Sequence, residues 1–73
     1  MLYKNGSRIV VQCKAHAGKI GPGAVRDLYG ALKHSGAPQA WLVSLDGFSN
    51  AARDFALDKP IQLRTIGEIL ADH

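Results

Sequence analysis

The stretch from Ser7 to Leu45 constrains the fold of this chain more than any other feature. Arg8-Ile9-Val10-Val11-Gln12-Cys13-Lys14 is rich in β-branched residues and reads as a strand that starts at Ser7. A glycine-rich connection, Ala15–Gly23, follows and is expected to be a mobile loop. Val25, Leu28, Tyr29 and Leu32 then recur at helical spacing. Pro22 suits a first helical turn, Lys33 and His34 suit the last, Gly36 supplies a left-handed cap, and Pro38 blocks continuation. A helix is therefore expected over roughly Gly23–His34. Gln39–Leu45 is a second, mostly apolar strand. A strand, a helix and a strand buried on both faces make a βαβ unit. Its strands should be parallel and its crossover right-handed.

The flanking segments extend this unit. Asn5-Gly6 is a two-residue type I′ signal, so Met1–Lys4 and Ser7–Lys14 should form a hairpin. After an Asp46-Gly47 turn, Ser49 or Asn50 caps a short helix running to about Leu57, with Ala52, Phe55 and Ala56 facing inward. Pro60–Arg64 reads as a third short strand. Thr65-Ile66-Gly67-Glu68 is a capping box that opens a last helix, with Ile66, Ile69 and Leu70 as its apolar stripe. The expected class is α/β in the order ββαβαβα. It has a small mixed sheet around a parallel βαβ core, tends towards three layers, and forms a single domain over residues 1–73.

Length sets the next limit. A chain of 73 residues buries only ~60% of the surface its unfolded form exposes. Such a core supplies roughly 3–5 kcal/mol without a staple. Cys13 is the single cysteine, which excludes an internal disulfide and a cysteine-based zinc site. Three scattered histidines, His16, His34 and His73, make no zinc site either. A partner chain is the remaining support. A homodimer is expected, formed at the sheet edge that the short first strand covers incompletely. Apolar residues at 47% and charged residues at 21% exclude a disordered chain. No apolar run approaches the ~20 residues of a membrane span. With no leader-like start and one free thiol, a cytoplasmic setting and no membrane partner are expected.

Charge is distributed unevenly. Lys4, Arg8, Lys14, Lys19 and Arg26 fall in the first third, which contains no acid. From Asp27 onward four bases face six acids. A basic, acid-free segment suits an anionic partner, of which a phosphate backbone is the commonest, and it equally suits a solvated basic face.

Gln12 and Lys14 share one strand face, roughly 6.5–7 Å apart. A Gln carbonyl can ligate a hard cation such as Mg²⁺. A neighbouring Lys can position a water or stabilise an anionic phosphorane. Taken alone, the pair is also what any solvent-facing strand end looks like. His16 suits a phosphate contact, a metal ligand or an ordinary loop residue. Gly18-Lys19-Ile20-Gly21-Pro22-Gly23 precedes a helix but lacks a Walker ending. It reads as a phosphate contact through Lys19 or as a plain glycine connector. Cys13 alternates onto the Val11 face and is expected to be a buried small hydrophobe. Trp41 and Tyr29 are expected in the core. Ser44 with His16 and Asp46 is not a triad, because Ser44 lies within a buried strand without a nucleophile elbow.

In sum these segments resemble a known family. Val10-Val11-Gln12-Cys13-Lys14 with its glycine loop resembles the catalytic strand of Mrr-type restriction endonucleases, in the PD-(D/E)xK nuclease superfamily. Val25–Leu32 resembles the helix after that strand, and Trp41-Leu42-Val43-Ser44 the buried strand that follows. Gly47-Phe48-Ser49 with Ala51-Ala52 and Phe55-Ala56 resembles the next helix. Pro60-Ile61-Gln62-Leu63 with Glu68-Ile69-Leu70 resembles the last strand and helix. The resemblance runs from about Ser7 to Leu70. It implies a restriction-endonuclease-like fold, a DNA partner and Mg²⁺-dependent phosphodiester hydrolysis. Gln12 would be a catalytic metal ligand and Lys14 the residue that orients the attacking water. Lys4, Arg8, His16, Lys19 and Arg26 would be candidate DNA contacts. The family also carries a metal-binding Asp on the strand before, where this chain has Leu2 and Tyr3. By resemblance the domain lacks the family's N-terminal helix and first strand. It is then an N-terminally truncated member, a degenerate one, or one completed by a second chain. Mg²⁺ binding is expected to be weak or absent in this chain, and cleavage by the chain alone is not expected. The alternatives are a non-catalytic, small α/β dimerising interaction protein and a nucleotide binder acting through the glycine loop.

Overall fold

The chain runs β1 (Leu2–Lys4), β2 (Ser7–Lys14), α1 (Pro22–Ser35), β3 (Gln39–Ser44), α2 (Asn50–Ala56), β4 (Ile61–Thr65) and α3 (Ile66–Ala71). The structure is a computed structural model that describes residues 2–4, 7–14 and 17–71, with side chains over 8–14 and 17–70. The order is the expected ββαβαβα. Asn5-Gly6 lies outside the described residues, while the strands on either side of it pair antiparallel, Leu2 with Ile9 and Lys4 with Ser7.

The four strands form one mixed sheet in the order β1-β2-β3-β4. β2 and β3 are parallel, as the intervening helix requires, and so are β3 and β4. Their registers bring Val10, Ala40 and Ile61 side by side, and likewise Gln12, Leu42 and Leu63. These positions share one face because strand side chains alternate. α1 and α2 cover that face. Val25, Leu28 and Leu32 from α1 and Ala52 and Ala56 from α2 pack with Ala40, Leu42, Phe48 and Ile61 in one buried cluster.

α1 begins at Pro22, a residue that needs no hydrogen-bond partner at a first turn. It ends at Gly36, whose φ of 76° and amide bond to the Leu32 carbonyl form the left-handed cap. Ser49, rather than Asn50, caps α2, its hydroxyl accepting from the Ala52 amide at 3.1 Å. β4 starts one residue later than expected. Pro60 lacks a donor, although its carbonyl still accepts the Ala40 amide at 2.9 Å. Cations and rings join the two helices on their outer side. Lys59 Nζ lies 4.0 Å from the Phe55 ring centre and 5.4 Å from that of Tyr29, and Arg26 sits 5.6 Å over Phe55.

The opposite face corrects two expectations. Cys13 is exposed and not buried, and Trp41 is only half-buried, away from the main core. Both alternate onto the face that α3 covers. α3 has only six residues, so Ile66, Ile69 and Leu70 leave an open cavity of about 410 Å³ that is also lined by Val11, Cys13, Trp41 and Val43. Trp41 is held there by the Arg64 guanidinium 5.2 Å above its ring and donates its indole N–H to Gln39. Helices on both faces complete the expected three layers. No helix among the described residues is long and apolar enough to cross a membrane.

Candidate functional site

Strands β2, β3 and β4 end side by side, with Lys14, Ser44 and Thr65 in register. The connections that leave this edge determine what it presents. In parallel α/β sheets the carboxyl edge is where chemistry collects, because loops there are free of the packing that fixes strands and helices.

Gln12 and Lys14 both belong to the α1/α2 face of β2, as their alternation requires. Gln12 is exposed and Lys14 half-buried. Neither has a hydrogen-bond or ion-pair partner among the described residues. An amide oxygen and an ammonium thus stand together on a rigid strand end, available to a ligand. On its β1 side β2 is paired only as far as Ile9. From Val11 to Lys14 no strand lies alongside there among the described residues.

Over its described residues, 17–23, the glycine connection is tied to the core and is not the free loop its composition suggests. Ile20 is buried and forms a parallel bridge with Phe48. Its amide donates to the Gly47 carbonyl at 3.0 Å, and its carbonyl accepts from the Ser49 amide at 2.9 Å. Gly18 adopts φ 94°, which a glycine takes without steric cost, and its amide donates to Asp46 Oδ2 at 2.7 Å. The apolar side chain of Ile20 overrides the flexibility of its glycine neighbours by entering the core. Lys19 lies between these tethers with its side chain exposed.

Ser44 is fully buried. Its hydroxyl donates to the Gly47 carbonyl at 2.9 Å and accepts the Gly47 amide at 2.6 Å. That engagement excludes it as a nucleophile, as expected, and gives it a structural role in shaping the turn that carries Asp46. Gly47 takes φ 98° to close that turn.

The remaining candidates are dispersed. Arg26 is exposed on α1 and engaged with Phe55. Arg8 sits at the opposite end of β2, about 20 Å from Lys14 along the strand, where its guanidinium donates to the Ser35 carbonyl at 3.0 Å. There it serves the end of α1, whose last carbonyls lack helical partners. Lys4 pairs with Ser7 at that same far end. His16 lies outside the described residues. The residue that sequence reasoning missed is Asp46. It was legible as half of an Asp-Gly turn and as a rejected triad member, and nothing in the sequence linked it to Gly18 across 28 positions.

The donor set tests whether this edge fits a Mg²⁺ ion. Mg²⁺ prefers octahedral oxygen coordination and usually takes one or two carboxylates. Among the described residues no group of three His, Cys, Asp or Glu side chains converges anywhere. At this edge Gln12 offers one neutral oxygen beside a cation, and Asp46 already accepts the Gly18 amide. These residues by themselves do not fit a protein-held Mg²⁺.

A family model described as restriction endonuclease matches residues 2–71, nearly the whole chain. No curated protein matches, and no solved structure does.

Proposed function

Because the chain belongs to the Mrr-type restriction endonuclease family, we propose that the carboxyl edge of its sheet binds the phosphate backbone of DNA. Lys14 and Lys19 are the principal contacts, with Gln12 on the same face of β2 as Lys14. The observation that carries this reading is the availability of Lys14, a half-buried side chain at a strand end with no hydrogen-bond or ion-pair partner among the described residues. A cation placed in that way is ready for an oxyanion. Arg26, engaged with the Phe55 ring, is not one of the principal contacts. Arg8 and Lys4 mark the far end of the sheet and form no part of this patch.

The family chemistry is phosphodiester hydrolysis, and within it Lys14 would orient a water or stabilise charge developing on phosphorus. Hydrolysis with Mg²⁺ usually takes one or two carboxylates, and no cluster of three metal-ligating side chains occurs among the described residues. We therefore assign binding to this chain and expect it, by itself, to leave DNA uncut. The purified chain with Mg²⁺ or Mn²⁺ should give no more plasmid nicking than its Lys14→Ala variant. Robust nicking by the chain that the substitution abolishes would contradict that assignment.

We assign self-association to a different edge, the lateral side of β2. The unpaired stretch of β2 from Val11 to Lys14 offers backbone donors and acceptors that a second strand can pair, and a homodimer through it remains our reading of how so small a core is supported.

A further inference from the structure

We infer that Asp46 is a positioning residue of the DNA-binding edge, a latch that holds the glycine loop so that Lys19 meets a phosphate. This inference rests on the binding reading above. Asp46 is an exposed acid on a surface proposed to meet a polyanion. By charge alone it opposes that partner. Its geometry gives it a different task. Oδ2 accepts the Gly18 amide at 2.7 Å, a short, charge-assisted bond between segments that are 28 residues apart.

Lys19 follows directly. Its backbone is held on one side by Asp46 through Gly18, and on the other by the Ile20 amide and carbonyl bonds to Gly47 and Ser49. Two of these three tethers are backbone pairs that depend on no side-chain group. The Asp46 bond depends on a side chain, so it can be removed without altering the backbone. Ser44, in register with Lys14, fixes the Gly47 turn from below through its buried hydroxyl. The strand end carrying Lys14 and the loop carrying Lys19 are thereby joined into one hydrogen-bonded unit. Without the latch Lys19 would have to be ordered at the moment of binding, and ordering a long side chain and its backbone opposes association.

The test separates latch from charge. In the free protein, Asp46→Ala should speed hydrogen exchange of the Gly18 amide while leaving that of Leu42 unchanged. Asp46→Asn keeps an acceptor oxygen and should restore much of the protection. Towards duplex DNA at ~0.1 M salt, Lys19→Ala should weaken binding about five- to tenfold, the worth of one phosphate contact. Asp46→Ala should weaken binding by up to that amount, and should add nothing in the Lys19→Ala background. Asp46→Asn should bind at least as tightly as the parent.

Several results overturn the inference. One is an Asp46→Ala variant that binds DNA as well as the parent or better, as loss of a negative charge alone would give. Another is a loss that is fully additive with Lys19→Ala. Unchanged Gly18 exchange in Asp46→Ala removes the latch whatever the DNA result. A parent chain that protects Gly18 but binds no DNA removes the binding reading itself, and the role of Lys19 with it.

Discussion

Individual side chains distinguish the two ends of the sheet. Lys14 and Arg8 lie on one strand and are both basic, yet they do different things. Arg8 donates to a helix carbonyl, whereas Lys14 has no partner among the described residues. Charge along the sequence cannot separate them, because each base counts equally until the fold says what it touches. Cys13 shows the converse. Its side chain alternates onto the face of Val11, so burial was the natural expectation. The short α3 leaves the thiol exposed in the cavity beside Trp41. Cys13 should therefore react with a thiol reagent in the folded protein within about tenfold of the rate of an unhindered thiol. A thiol that reacts only after denaturation would contradict the exposure.

Among the elements, α3 depends most on local chemistry. Its six residues are too few to persist on helix propensity alone. The capping box supplies the support. Glu68 Oε1 accepts the Thr65 amide at 3.0 Å and the Thr65 hydroxyl at 2.9 Å, while the Glu68 amide donates back to Thr65 Oγ1 at 3.2 Å. The Thr65 amide, and then its hydroxyl, hold the Glu68 carboxyl below its ordinary value of 4.5. A folded-state value below the unfolded one means the stabilisation is fully present above 4.5 and is lost as pH falls through the lowered folded value. Thermal melts taken from neutral pH to well below 4.5 should show the parent losing more stability on acidification than Glu68→Gln. Equal losses in the two proteins would show that the ionised Glu68 carboxylate contributes nothing.

Most elements were legible because their signals are local. Pro22 and Gly36 bound α1, Thr65 and Glu68 open α3, and the β-branched run of β2 marks a strand. The glycine loop was misread because its order comes from Ile20 reaching a core that its own glycines do not reveal. Asp46 was invisible for a related reason: its partner is distant in sequence, and an Asp-Gly pair explains itself as a turn. In the candidate site, Gln12 and Lys14 could be named from the strand period. The loop that joins Lys19 to them required the tertiary structure.

For the whole molecule the controlling facts are a small core and an asymmetric surface. The main cluster is built between one sheet face and two helices. The second face keeps an open apolar cavity, and Leu70 in α3 is 62% exposed. We propose that a second chain pairs along the unpaired length of β2. Light scattering should show a mass that rises with concentration towards a dimer, and a monomer at every concentration would contradict self-association. At this scale the basic edge also acquires its meaning, since a phosphate backbone engages several cations at once and displaces counterions in proportion.

The most direct test of the account is the salt dependence of DNA binding by the parent chain and by Lys14→Ala. The account predicts that log K for a duplex falls linearly with log salt. It predicts that Lys14→Ala lowers the magnitude of that slope by about one while weakening binding at every salt concentration. No measurable binding at ~20 mM salt, where a phosphate-contacting protein binds most tightly, would contradict it. So would a Lys14→Ala variant whose affinity and slope match those of the parent.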